Sequence, residues 1–186
     1  MISAKIPQVR SPELENWHDR SVAELTQYIV AKHHEYLRAE LPIMERLLQD
    51  CMNNTQEEHT KPLLVITSTF RQFRRGIENH LKKEEAILFP MIESLETAVR
   101  TGALPPQLPF GTIQHPIAVM EQEHEVARRE LAQIREFTET YRSGAGAGES
   151  YSSFLSRFEQ LEVDLDVHSR LEDEVLFPRA IEFERR

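Results

Sequence analysis

The sequence predicts an all-α protein, an up-and-down four-helix bundle, and three observations carry that reading. Its 186 residues include only six glycines, while the strong helix formers Ala, Leu, Glu, Gln and Arg recur throughout. Apolar residues return every three or four positions through four long segments. Those segments are separated by short stretches rich in Pro, Gly or polar residues. A chain of this length suits one domain with one core.

Residues 1–18 hold two prolines and no regular period, and are expected to form an N-terminal arm, leaving 19–186 for the bundle. The first helix is expected from about Ser21 to Met52, with Pro42 as a kink or local break. Asn53, Asn54 and the following TQEEHT make a turn. The second helix runs from about Pro62, a favourable first-turn proline, to Ala98, and Pro90 must bend or divide it. TGALPPQLPFGT is the one long irregular connection and separates the chain into halves. The third helix opens at His115-Pro116 and ends near Tyr141, where RSGAGAG reads as a flexible linker. The fourth spans roughly Glu149 to Phe183, with Pro178 near its end. Helices of about thirty residues are ~45 Å long at 1.5 Å per residue, and a bundle buries them best.

Charge and cysteine content exclude several functions. A net charge of -9 disfavours nucleic acid or an anionic membrane surface as partner, since both require a clustered basic face. The basic pairs Arg74-Arg75 and Lys82-Lys83 lie among glutamates and read as solvated helix faces. Cys51 is the only cysteine, so this chain alone builds neither an intrachain disulfide nor a cysteine-ligated cluster. With no apolar leader and no run of eighteen apolar residues, a reducing cytoplasm is the expected location.

An internal repeat carries the chemical information. His80-Leu81-Lys82-Lys83-Glu84 leads into Glu85-Ala86-Ile87-Leu88-Phe89-Pro90, and His168-Ser169-Arg170-Leu171-Glu172 into Asp173-Glu174-Val175-Leu176-Phe177-Pro178. Both read H-x-x-x-E-[ED]-x-[IV]-L-F-P, 88 residues apart, in the second and fourth helices. A shared helix-ending signal is the bland explanation; a pseudo-symmetric site is the sharper one. At helical spacing the second helix gives the stripe Ile66, Phe70, Phe73, Ile77, His80, Glu84, Ile87, Met91. The fourth gives Phe154, Phe158, Leu161, Leu165, His168, Glu172, Val175. In each, a His and a Glu one turn apart interrupt an apolar stripe.

An unpartnered polar group costs roughly 2–7 kcal/mol to bury, and an unpaired carboxylate far more, so something must compensate these four. Two carboxylates facing each other in an apolar layer are expected to raise one another's pKa. The third helix supplies His124 within the stripe Ile117, Met120, Ala127, Leu131, Ile134. The first offers His33-His34, between which periodicity prefers His34 only slightly. Four imidazoles, one per helix, and two carboxylates suit iron, manganese or zinc, and each carboxylate can bridge two metals. Ferritin-like sites use more carboxylates, so this set favours binding or redox chemistry of a small diatomic over iron storage. His18 and His59 fall in the arm and a loop. His115 lies about two turns, ~13 Å, from His124 and is expected to cap the third helix or stand outside the ligand set. Glu35 and Glu125 read as solvated, Glu123 could turn toward the site, and nothing places Tyr36 or Tyr151 beside it.

At these residues the chain resembles the hemerythrin-like HHE cation-binding family, and within it the di-iron proteins that repair iron-sulfur clusters after nitrosative or oxidative stress. The matching strings are HHEYLRAELP, HLKKEEAILFPMI, HPIAVMEQEHEVA and HSRLEDEVLFPRA, in order along the four helices. The resemblance implies a hemerythrin-like bundle holding two iron ions, bridged by carboxylate and by oxo or hydroxo. It implies His34, His80, His124 and His168 as terminal ligands and Glu84 and Glu172 as bridges, and it selects His34 by its distance from Leu41-Pro42. The repair proteins usually carry an N-terminal domain with adjacent cysteines. Here the bundle starts near residue 20, so that domain and any step needing its thiols are not expected. The implied function is handling of NO, O2 or iron in support of iron-sulfur proteins; whether it involves turnover is left open. The alternative is a reversible oxygen carrier or sensor, and a third reading is a structural metal bundle holding zinc.

Overall fold

The protein was described from a computed structural model, which defines residues 14, 17, 19–54, 60–142 and 148–186, the last four of the third helix as backbone. His18, His59 and most of the expected arm and linker lie outside the described residues. The first helix, α1, comprises Val22–Ile29, a π turn Val30–His34 and Glu35–Asn54. The second, α2, comprises Thr60–Lys83, a π turn Glu84–Leu88 and Phe89–Thr101. The third, α3, is Gln114–Arg142. The fourth, α4, comprises Glu149–Leu171, a π turn Glu172–Leu176 and Phe177–Glu184. Among the described residues there is no strand, and the four helices form the expected all-α bundle.

Helix starts and stops follow local chemistry. Ser21 and Glu24 form a capping box, in which the Ser21 hydroxyl accepts from the Glu24 N–H and the Glu24 carboxylate accepts from the Ser21 N–H, both at 3.1 Å. Gly102 ends α2 at φ 67, a left-handed conformation that only glycine adopts without strain, and the Ala103 N–H closes on the Ala98 carbonyl at 3.0 Å. Pro42, expected as a break, sits inside an uninterrupted Glu35–Asn54 helix.

Three π turns are the main departure from the sequence reading. A π turn replaces one i→i+4 bond with i→i+5 and so inserts one residue into the helical phase. Here the Glu35, Phe89 and Phe177 N–H groups donate to the Val30, Glu84 and Glu172 carbonyls. Pro90 and Pro178 follow immediately. Each lacks the N–H that would resume the regular ladder, and each ring would crowd the carbonyl four residues earlier. In α2 the inserted residue rotates the stripe: Ile87, expected inward, is 42% exposed, whereas Leu88, Phe89 and Ile92 are buried.

Two apolar clusters result, with a polar layer between them. The lower contains Leu37, Leu41, Met44, Phe70, Phe73, Ile134, Phe154 and Leu161. The upper contains Leu25, Ile29, Leu88, Phe89, Ile117, Met120, Leu176 and Phe177, joined by Leu14 and Trp17 from the chain's start. Tyr151 belongs to the lower cluster, its hydroxyl donating to the Thr138 carbonyl. Cys51 is buried at the edge of that cluster, and burial pushes its thiol up to about 11. Helix α2 packs along α3 and α1 along α4, while α3 and α4 meet more loosely. Among the described residues no helix is long and apolar enough to cross a membrane.

Candidate metal centre

All six residues singled out from the stripes meet in the polar layer, each 5% exposed or less. Three of them lie in π turns, and His80, His124 and His168 in regular α-helix. His34 ends one π turn, and Glu84 and Glu172 begin the other two. In α1 the extra residue moves position 34 into the place that 33 would hold after Leu25 and Ile29. His33 is also buried, but its Nδ1 lies 2.8 Å from Asp164, its ring stacks on His168 at 5.5 Å, and it belongs to neither ligand group.

Two sets of four ligand atoms form, His34, His168, Glu84 and Glu172 in one and His80, His124, Glu84 and Glu172 in the other. The Nε2 atoms of His34 and His168 are 3.2 Å apart, and those of His80 and His124 are 3.1 Å apart. Glu84 offers one oxygen to each pair, Oε1 at 3.1 Å from His80 Nε2 and Oε2 at 3.4 Å from His34 Nε2. Glu172 does the same, Oε1 at 3.1 Å from His168 and Oε2 at 3.1 Å from His124. Phe89 stacks on His34 and Phe177 on His124, so the L-F-P end of the repeat backs the imidazoles of the facing helices.

Outside this layer, carboxylates fix the rings. Glu85 meets the His34 Nδ1 at 2.6 Å, Glu123 the His80 Nδ1 at 3.0 Å, and Asp173 the His124 Nδ1 at 2.9 Å. An Nδ1–H given to a carboxylate leaves the Nε2 lone pair facing inward and makes it more basic. Each carboxylate is held in turn by a cation: Arg38 on Glu85 at 2.5 Å, Lys83 on Glu123, and Arg128 on Asp173 at 3.0 Å. Of these carboxylates the sequence singled out only Glu123, as a residue that could turn toward the site. A signal for the others is present, since His34-Glu35-x-x-Arg38 and His124-Glu125-x-x-Arg128 repeat 90 residues apart, and Glu85 and Asp173 share one place in the longer repeat. Glu35 and Glu125 are exposed, as expected of solvated residues, and each pairs with its arginine. His115 stands apart from the layer; it is exposed, with its Nδ1 3.0 Å from the Phe110 carbonyl.

The electrostatics reverse one expectation. Burial and Glu172 push the Glu84 carboxyl up, but His80 and His34 outweigh them and hold it below the usual range. Burial raises Glu172, and His168 and His124 bring it well below that range. The facing carboxylates therefore do not hold each other protonated, because four imidazoles surround them. Burial opposes protonation of His124, yet Asp173 and Glu172 raise it to about 10. His34 and His80 are raised against burial in the same way by Glu84, with Glu85 adding to His34.

Even so, both Glu84 oxygens and the Glu172 Oε2 are buried without an oriented hydrogen bond. Converging lone pairs on four nitrogens and two carboxylates, in an apolar surround, make a donor set suited to divalent cations. A cavity of about 130 Å³ reaches the layer between α3 and α4, walled by Ile77, Ala127, Leu131 and Leu165, with His80, His124 and His168 at its inner end. The Arg135–Glu162 ion pair lines the same cavity.

Comparison with known proteins places this arrangement. The chain is 31% identical over 169 residues to the iron-sulfur cluster repair protein YtfE of Edwardsiella ictaluri, covering 89% of this chain and 69% of that protein. It is 28% identical over 184 residues to a probable iron-sulfur cluster repair protein of Haemophilus influenzae, covering 97% and 76%. With the YtfE of Yersinia pseudotuberculosis it shares 26% over 167 residues, covering 90% and 69%. Residues 26–180, which take in all four helices and all six converging side chains, match the hemerythrin HHE cation binding domain, and the chain belongs to that family.

Proposed function

We propose that the polar layer holds two irons, one between His34 and His168 and one between His80 and His124, with Glu84 and Glu172 bridging them. We further propose that this centre handles NO, O2 or iron in stress-linked repair of iron-sulfur proteins. The observation that carries the two-metal reading is the division of each carboxylate, one oxygen toward each histidine pair. A single ion would leave half of these atoms unmatched. The names of the similar proteins support the repair role.

When bound, paired irons supply redox capacity and open coordination for a diatomic ligand. The chain's own residues do the rest. Glu85, Glu123 and Asp173 hold three imidazoles in the tautomer that presents Nε2 inward. Phe89 and Phe177 exclude water from the rear of the rings. The cavity, apolar along Ile77, Ala127, Leu131 and Leu165, leads a small molecule past the Arg135–Glu162 ion pair to His80, His124 and His168.

That same cavity favours a second reading, a reversible oxygen carrier or sensor, because it would shelter a ligand as readily as deliver a substrate. Metal analysis of freshly purified protein, with its ultraviolet-visible spectrum, tests the centre. Two irons per chain and oxo-bridge bands are expected, and Glu84→Gln and Glu172→Gln should each reduce both. One metal per chain in the wild type, or a Glu84→Gln protein with two irons and an intact bridged spectrum, would overturn it. Stopped-flow mixing separates the roles, since rapid NO consumption indicates turnover and a reversible oxygen adduct indicates a carrier.

A further inference from the structure

The repeats relate α1–α2 to α3–α4 by an approximate twofold axis through the polar layer, and most of the site obeys it. His34, Arg38, His80, Glu84, Glu85 and Phe89 correspond to His124, Arg128, His168, Glu172, Asp173 and Phe177, and their contacts correspond as well. Apart from the π turn that α1 has and α3 lacks, the symmetry fails in the carboxylates behind the histidines. His80 gives its Nδ1 to Glu123, which precedes His124 and is held by Lys83. The equivalent of Glu123 is His33, and the equivalent of Lys83 is Leu171.

His168 consequently has no carboxylate on its Nδ1 among the described residues. His33 lies flat against it instead, with the rings only 7° from parallel. Asp164, one turn before His168 on the same helix, is engaged by the His33 Nδ1 at 2.8 Å. One histidine pair, His80 and His124, is thus doubly braced, and the other, His34 and His168, only singly. The cavity touches His80 and His124 of one pair and His168 of the other.

We infer that the two metal positions are unequal and that the one shared by His34 and His168 releases its metal first. This rests on the two-iron reading above. A carboxylate behind a ligand imidazole raises its donor strength, and losing such a partner costs ~10–100-fold in affinity. The missing brace is therefore large enough to separate the two positions.

The test is release of iron from the ferrous, two-iron protein into excess bathophenanthroline disulfonate, followed by absorbance. Two phases of equal amplitude are expected, about tenfold or more apart in rate. Glu123→Gln should accelerate the slow phase and leave the fast one. His33→Glu combined with Asp164→Asn places a carboxylate where the symmetry lacks one, and should slow the fast phase toward the other. Release of both irons in one phase, or acceleration of the fast phase alone by Glu123→Gln, overturns the inference while leaving the two-iron centre standing. Fewer than two irons in the wild type overturns both. Glu123→Gln is nearly isosteric, so the inference stays testable if the double variant does not fold.

Discussion

The two apolar clusters on either side of the polar layer are built from the same helices by different rules. Below it, the helices are regular, and Phe70, Phe73, Phe154, Leu161 and Ile134 are buried where a 3.6-residue period puts them. Above it, the three helices that carry π turns have gained a residue of phase, so Leu88 and Phe89 are buried and Ile87 is not. The lower cluster shows what periodicity alone specifies. The upper shows that a metal-binding layer can set the phase of the helix beyond it, since Glu84 and Glu172 open the turns that cause the shift.

Truncation of large side chains should distinguish the clusters most strongly. Phe70→Ala and Phe177→Ala each remove a fully buried ring and should each cost about 3–5 kcal/mol in denaturant unfolding. Only Phe177→Ala should also lower metal content, because Phe177 stacks on His124, whereas Phe70 packs its ring against Phe73 and Phe154. Equal metal content in the two variants would dissolve the distinction. The phase shift itself is tested by neighbours. Leu88→Ala should cost about 2–5 kcal/mol and Ile87→Ala within about 0.5 kcal/mol; the reverse order would restore the regular helix expected from sequence.

Metal removal acts on the layer between the clusters. Iron at a hundred times its dissociation constant stabilises the native state by about 2.7 kcal/mol. At ~2–4 °C per kcal/mol for a chain of this size, chelation should lower Tm by ~5–11 °C for each iron removed. An unchanged Tm would mean that the clusters do not depend on what joins them. A separate effect concerns pH in the metal-free protein. His124 is raised from 6.5 to about 10, so the stability it contributes is fully present below pH 6.5 and is lost as pH rises through about 10. Urea midpoints of the chelated protein should fall across that range, and Asp173→Asn should flatten the fall. The same sign makes metal uptake release protons at neutral pH, which a weakly buffered indicator solution would register.

The helices, with their ends to within a few residues, and the converging side chains were legible in sequence because they depend on local pattern: apolar stripes, Pro- and Gly-rich breaks, and polar residues interrupting the stripes; only His34 needed the family resemblance. The π turns were not legible. Pro90 and Pro178 indicated a disturbance, but a proline also marks a kink or a stop, and Pro42 lies within a continuous helix. Choosing His34 over His33 by period alone was close for the same reason, since the inserted residue lies between Ile29 and Glu35. Of the carboxylates behind the histidines only Glu123 was a candidate, because Glu85 and Asp173 look like ordinary surface residues until the facing helix is in place.

Each histidine pair joins the two halves of the chain. His34 meets His168 across 134 positions of sequence, and His80 meets His124 across 44. Neither half owns a complete pair, so each bound iron would act as a staple that closes a long loop. In the chain-entropy treatment of covalent cross-links, closing a loop of about 100 residues is worth roughly 4.7 kcal/mol. Loaded protein should therefore survive a proteolytic nick in the 103–113 connection as a single particle, and chelation should let the two hairpins part.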